Sequence, residues 1–65
     1  MINSQGIDVA ATREKLRGKG YSITGFARAN GIDPATFGTR FHNGVKFKPK
    51  EVEALRESGL LVEAA

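Results

Sequence analysis

The chain has 65 residues, a formal net charge of +3 and no cysteine, so it holds one domain at most, and disulfide staples and thiolate chemistry are excluded. No apolar run approaches the ~18 residues of a membrane span, and the opening MINSQGIDVAATREK lacks the basic-then-apolar order of a signal peptide, so the expected setting is soluble and cytoplasmic. Residues 1–50 carry nine basic against three acidic side chains, a net of +6, while residues 51–65 carry one against four, a net of −3; a basic body with an acidic tail points to a polyanion as partner, the plain alternative being a solubilising surface.

The first predicted element is DVAATREKLRGKG. Asp8 is placed to cap a helix that stops at Gly18 or Gly20. Val9, Thr12 and Leu16 share one face of it. Lys15, Arg17 and Lys19 gather at its C-terminal end, where positive charge complements the helix dipole.

SITGFARAN is the second. Ser22 is its cap, and Ile23, Phe26 and Ala27 form an i, i+3, i+4 set that faces a core. Asn30-Gly31 then supplies the left-handed step that ends a helix.

DPATFGTRFHN is the third, with Asp33 as cap and Pro34 at the first helical position. Phe37 and Phe41 stand four apart on one face, and Asn43-Gly44 closes the run. Only Gly31, Ile32 and Asp33 separate it from the second element. A joint that short sets a sharp angle, with Ile32 plugging it and Ala27 small enough to permit close approach.

The fourth element, KPKEVEALRESG, has Pro49 in its first turn, Val52 and Leu55 on its apolar side, and Lys50, Glu51, Glu53, Arg56 and Glu57 as a solvated face. Gly59 follows its last turn, and Leu60 is placed to close the cap. The run Leu60-Leu61-Val62 reads as a cap contact, a short edge strand, or a patch for dimerisation. The fold class expected is all-α: a compact bundle of four short helices in a single domain with an acidic C-terminal segment.

Residues Ser22 to Gly44 resemble the helix-turn-helix superfamily of DNA-binding proteins, in particular small phage and plasmid regulators of the lambda-repressor-like group. The matching positions are the small Ala27, the turn Gly31, and the apolar Phe26, Ile32 and Phe37. TFGTRFHNG is similar to the ending of small modular units of this kind. Asn30 stands where such motifs usually carry an apolar residue, and Arg40 where many carry an aliphatic one. The resemblance implies a sequence-specific double-stranded DNA-binding transcriptional regulator, a repressor of phage or mobile-element type, acting as a homodimer on a palindromic site.

With Phe37 at the centre of the buried face and 100° per residue, Ala35, Thr39 and His42 fall opposite, flanked by Thr36 and Asn43; Gly38 and Arg40 lie on the two borders. This face is short and polar where a merely solvated one would carry Lys and Glu. Thr, Asn and Arg suit the donors, acceptors and methyl groups of the major groove. Ala35, Thr36, Thr39, Arg40, His42 and Asn43 are therefore the candidate base contacts. Gly38 costs about 1 kcal/mol in a helix interior, which close approach to DNA or to the second helix would explain. Ser22 and Thr24, at the start of the second element, with Arg28, Lys46 and Lys48, are the candidate phosphate contacts, which position rather than specify. Lys46-Phe47-Lys48 either grips the backbone or is a solvated loop with Phe47 in the core.

Catalytic chemistry has no foothold. A lone His42 makes no metal site, no carboxylate pair has acid–base spacing, and the glycines form no phosphate loop. No enzyme activity, cofactor, metal or small-molecule ligand is expected. The competing expectation is a helical protein-interaction module whose basic face binds an acidic protein.

Overall fold

In the computed structural model, which describes residues 2–64, the four expected segments are helices: α1 Val9–Gly18, α2 Ile23–Ala29, α3 Pro34–Asn43 and α4 Pro49–Glu57. The caps fall where the sequence offers them. Asp8 Oδ1 accepts the Ala11 amide at 3.0 Å, Ser22 Oγ accepts that of Gly25 at 2.9 Å, and Asp33 Oδ1 accepts that of Ala35 at 3.2 Å. At α4 the order is reversed: Glu51, one turn inside the helix, accepts the Lys48 amide through Oε1 at 3.0 Å, the returning half of a capping box.

Three of the four helices end in the same bond. The amides of Tyr21, Ile32 and Leu60 donate back to the carbonyls of Leu16, Ala27 and Leu55 at 3.2, 2.8 and 2.9 Å. These are the six-residue closures of Schellman caps, with an apolar residue just past the glycine. At the α2–α3 joint this matters most. Gly31 sits at φ +66°, a conformation that strains any side chain, and the bond from Ile32 to Ala27 turns the chain back so that Ile32 is buried between α2 and α3. Asn30, polar where an apolar residue was expected, donates its side-chain amide to the Phe26 carbonyl at 2.9 Å and so satisfies the end of α2.

The core is built on four phenylalanines. Phe37 stacks on Phe26 at 6.0 Å and meets Phe41 edge-on at 4.9 Å; Phe47, from the loop before α4, touches Phe41 at 5.0 Å and Phe37 at 5.9 Å. Phe47 thus belongs to the core, while Lys46 and Lys48 on either side of it are exposed. Val9, Thr12 and Leu16 are buried as their spacing predicts, with Leu55 from α4 and Leu60.

Residues 2–8 and 60–64 complete the fold. Asp8 donates its amide to the Val62 carbonyl at 2.9 Å, Ala64 donates to Gly6 at 2.8 Å, and the Val62 amide reaches the buried Thr12 hydroxyl at 3.1 Å. Among the described residues this pairing amounts to isolated bridges, Ile2 with Asp8 and Ile7 with Glu63, and no strand. Leu60 is fully buried and Leu61 packs against the core. These residues finish the core and the α4 cap; Leu60 is not available as a dimer patch.

The N-terminal turn fixes the loop after α3. The Gln5 side-chain amide makes reciprocal bonds with Phe47, Nε2 to its carbonyl and Oε1 from its amide, both at 3.0 Å. Asn3, itself buried, accepts the amides of Gln5 and Ile7 through Oδ1 and donates to the Val45 carbonyl at 3.3 Å. Among the described residues no helix is long and apolar enough to cross a membrane.

Candidate nucleic-acid interface

α3 owes its orientation to contacts on its two sides. Phe37 and Phe41 bury one face. On one border, Arg40 Nη1 meets Glu51 Oε2 of α4 at 2.6 Å, with only 14% of the arginine side chain and 5% of the glutamate exposed. The charge of Arg40 is matched inside the fold, and Glu51 is buried instead of lying on a solvated face of α4. Arg40 is therefore a packing residue of α3 and is not offered to a base. Near the joint, Lys50 Nζ donates to the Gly31 carbonyl at 2.9 Å, so consecutive residues of α4 hold the turn and the helix that follows it.

The opposite face of α3 is open. Ala35, Thr39, His42 and Asn43 are exposed and Thr36 is half-buried. Two hydroxyls are already engaged as donors: Thr39 Oγ1 to the Ala35 carbonyl at 2.9 Å and Thr36 Oγ1 to Asp33 Oδ2 at 2.7 Å. Each keeps its methyl group and its oxygen as an acceptor. Thr36 is drawn to the N-cap, so the ridge left for an incoming surface is Ala35, Thr39, His42 and Asn43, with no formal charge when His42 is neutral.

A groove runs along each flank of this ridge. One, about 220 Å³, lies against α1 and is lined by Val9, Ala10, Arg13, Glu14, Phe41 and His42. The other, about 240 Å³, lies against α4 and the joint, where Lys48 and Lys50 stand beside Asp33 and Thr36. Each groove mixes charges, Arg13 with Glu14 on the α1 side and Lys48, Lys50 and Arg40 with Asp33 and Glu51 on the α4 side, so basic side chains stand on both flanks of the ridge. Gly38 lies within α3, and a Cβ there would meet no heavy atom within 4 Å. Neither a packing notch nor close approach to α2 accounts for it.

No family model, curated protein or solved structure matches the chain.

Of the phosphate candidates, Ser22, Thr24, Arg28, Lys46 and Lys48 are all exposed. Ser22 Oγ is used as the α2 cap, which leaves its hydrogen to donate outward. Lys46 and Lys48 are held in place through Phe47 and the Gln5 amide between them. Arg13 is the residue sequence reasoning passed over: it lines the α1 flank of the ridge and also a larger groove of about 470 Å³ at the start of α2. Its position follows from α1 packing across both α2 and α3, a long-range contact that no local pattern signals.

Proposed function

We propose that the chain is a sequence-specific double-stranded DNA-binding protein that acts as a transcriptional regulator, with α2, the Asn30–Asp33 joint and α3 forming a helix-turn-helix. In this reading α3 lies in the major groove, which admits one helix. Thr39, Asn43, His42 and Ala35 meet base edges, with Thr36 beside them. Lys46, Lys48, Arg28, Ser22 and Thr24 meet phosphates and set the register. Arg40 takes no part in base recognition; it holds the roll of α3 through Glu51.

The observation that carries this reading is the exposed ridge of α3, free of Lys, Arg, Asp and Glu, between one groove that holds Arg13 and another that holds Lys48 and Lys50. A phosphate backbone rises on each side of a helix seated in the major groove, so cations belong on both flanks. An uncharged centre suits base edges, where an unmatched charge would be desolvated at a cost. In this reading the chain acts as a repressor of phage or mobile-element type by occupying a promoter, with two copies on a palindromic site.

The test is a gel shift against the DNA upstream of the chain's own coding sequence, across a salt series. A specific complex that weakens steeply with salt is expected. Binding to an acidic protein with no duplex complex would replace this reading with a protein-interaction module.

A further inference from the structure

A groove of about 470 Å³ lies between α1 and the start of α2 and carries two arginines, Arg13 and Arg17, with no acidic residue in its lining. Leu16 and Ile23 add apolar side chains to its lining, and Ser22 and Thr24 add hydroxyls. Tyr21 also lines it, 47% exposed and edge-on against Phe26 at 5.6 Å. Two guanidinium groups, apolar side chains and hydroxyls in one groove suit a stretch of sugar–phosphate chain. Guanidinium binds phosphate oxygens in pairs, the sugar is largely apolar, and hydroxyls add neutral donors.

We infer that this groove holds the backbone of one DNA strand, and that Glu14 is a built-in counter-charge which that backbone displaces. The inference rests on the DNA-binding reading above and extends it to α1. Arg13 joins the two regions, since it lines both this groove and the one beside His42 on α3; a strand leaving the α3 ridge past His42 meets Arg13 next and Arg17 after it. Glu14 contacts Arg17 at 3.5 Å, with the two side chains 69% and 65% exposed. An ion pair so solvated is weak and readily exchanged for another anion. Glu14 thus lowers the attraction of the groove for any polyanion without closing it.

The experiment measures dissociation constants for a duplex carrying the specific site and for an unrelated duplex, from about 50 to 200 mM salt. It compares the unmodified chain with Arg13→Gln, Arg17→Gln and Glu14→Gln. All three side chains are exposed, and circular-dichroism melting confirms that each variant stays folded. Arg13→Gln and Arg17→Gln are each expected to weaken both duplexes by the same factor and to flatten the salt slope by about one unit. Glu14→Gln is expected to tighten both by about two- to fivefold. A specific complex whose salt slope is unchanged in both arginine variants overturns the groove assignment and leaves the α3 reading standing. Weakening confined to the specific duplex also overturns it, because the arginines would then be reading bases. Absence of any duplex binding by the unmodified chain overturns both.

Discussion

The Arg40 guanidinium and the Glu51 carboxylate meet at 2.6 Å, and the second oxygen of that carboxylate caps α4 by accepting the Lys48 amide. One buried acid therefore starts a helix and fixes the neighbouring one. Truncating either partner leaves the other charge buried without its match. Arg40→Ala and Glu51→Ala are each expected to lower unfolding free energy by about 3 kcal/mol, read by urea denaturation. The paired replacement Arg40→Met with Glu51→Leu should recover the part of that loss that comes from an unmatched buried charge, but not the cap that Glu51 gives the Lys48 amide. A single variant that melts like the unmodified chain would contradict a structural role for the pair.

Thr39 separates binding from stability. Its hydroxyl bonds back to the Ala35 carbonyl within the helix, a contact that slightly disfavours helix, and Ala is the better helix former. Thr39→Ala should raise stability by about 0.5 kcal/mol while weakening specific DNA about tenfold, within the range of a lost base contact. Equal affinity for the specific duplex would remove Thr39 from the reading surface.

Gly38 has open space where a Cβ would stand and no left-handed backbone. Gly38→Ala should therefore stabilise the free protein by about 0.5–1 kcal/mol, visible as a higher melting temperature. If specific DNA binding falls in the same variant, close approach of a DNA surface is what keeps this position a glycine. Unchanged binding would leave it without a role at the interface.

Gln5 stands in for a strand by pairing its side-chain amide with the backbone of Phe47. Gln5→Ala removes both bonds and should cost about 1–2 kcal/mol. Faster hydrogen exchange at the Phe47 amide should accompany the loss, with the amides inside α1 little affected. Uniform acceleration across the chain would show instead that the whole fold had weakened.

The four helices were legible because each carries its own punctuation. Asp8, Ser22 and Asp33 announce starts, and Gly31 and Gly59 announce stops, all within a few residues of the atoms they bond. The buried faces of α1, α2 and α3 followed from spacing alone. Arg40 and Glu51 were not legible as partners. Arg40 sits on the border of its helix, where a periodic pattern decides neither side, and Glu51, assigned by its charge to the solvated face, is instead buried. Asn3 and Gln5 escaped for a different reason: a short segment without period bonds through its side chains to backbone 42 residues away. The exposed ridge of α3 was readable in outline, but not that Thr36 turns toward Asp33 or that Arg13 reaches the ridge from α1.

The clasp between residues 6–8 and 62–64 has a consequence for the order of assembly. A ribosome delivers the first of these segments long before the second, and contacts so far apart in sequence form late. The aromatic cluster draws on residues 26–47 and is complete in sequence well before Val62 emerges. The Val62 bonds to the Asp8 amide and the Thr12 hydroxyl are therefore expected to close after α2 has packed on α3. In a refolding experiment, protection of the Asp8 amide from hydrogen exchange should therefore appear after that of the α2 and α3 amides.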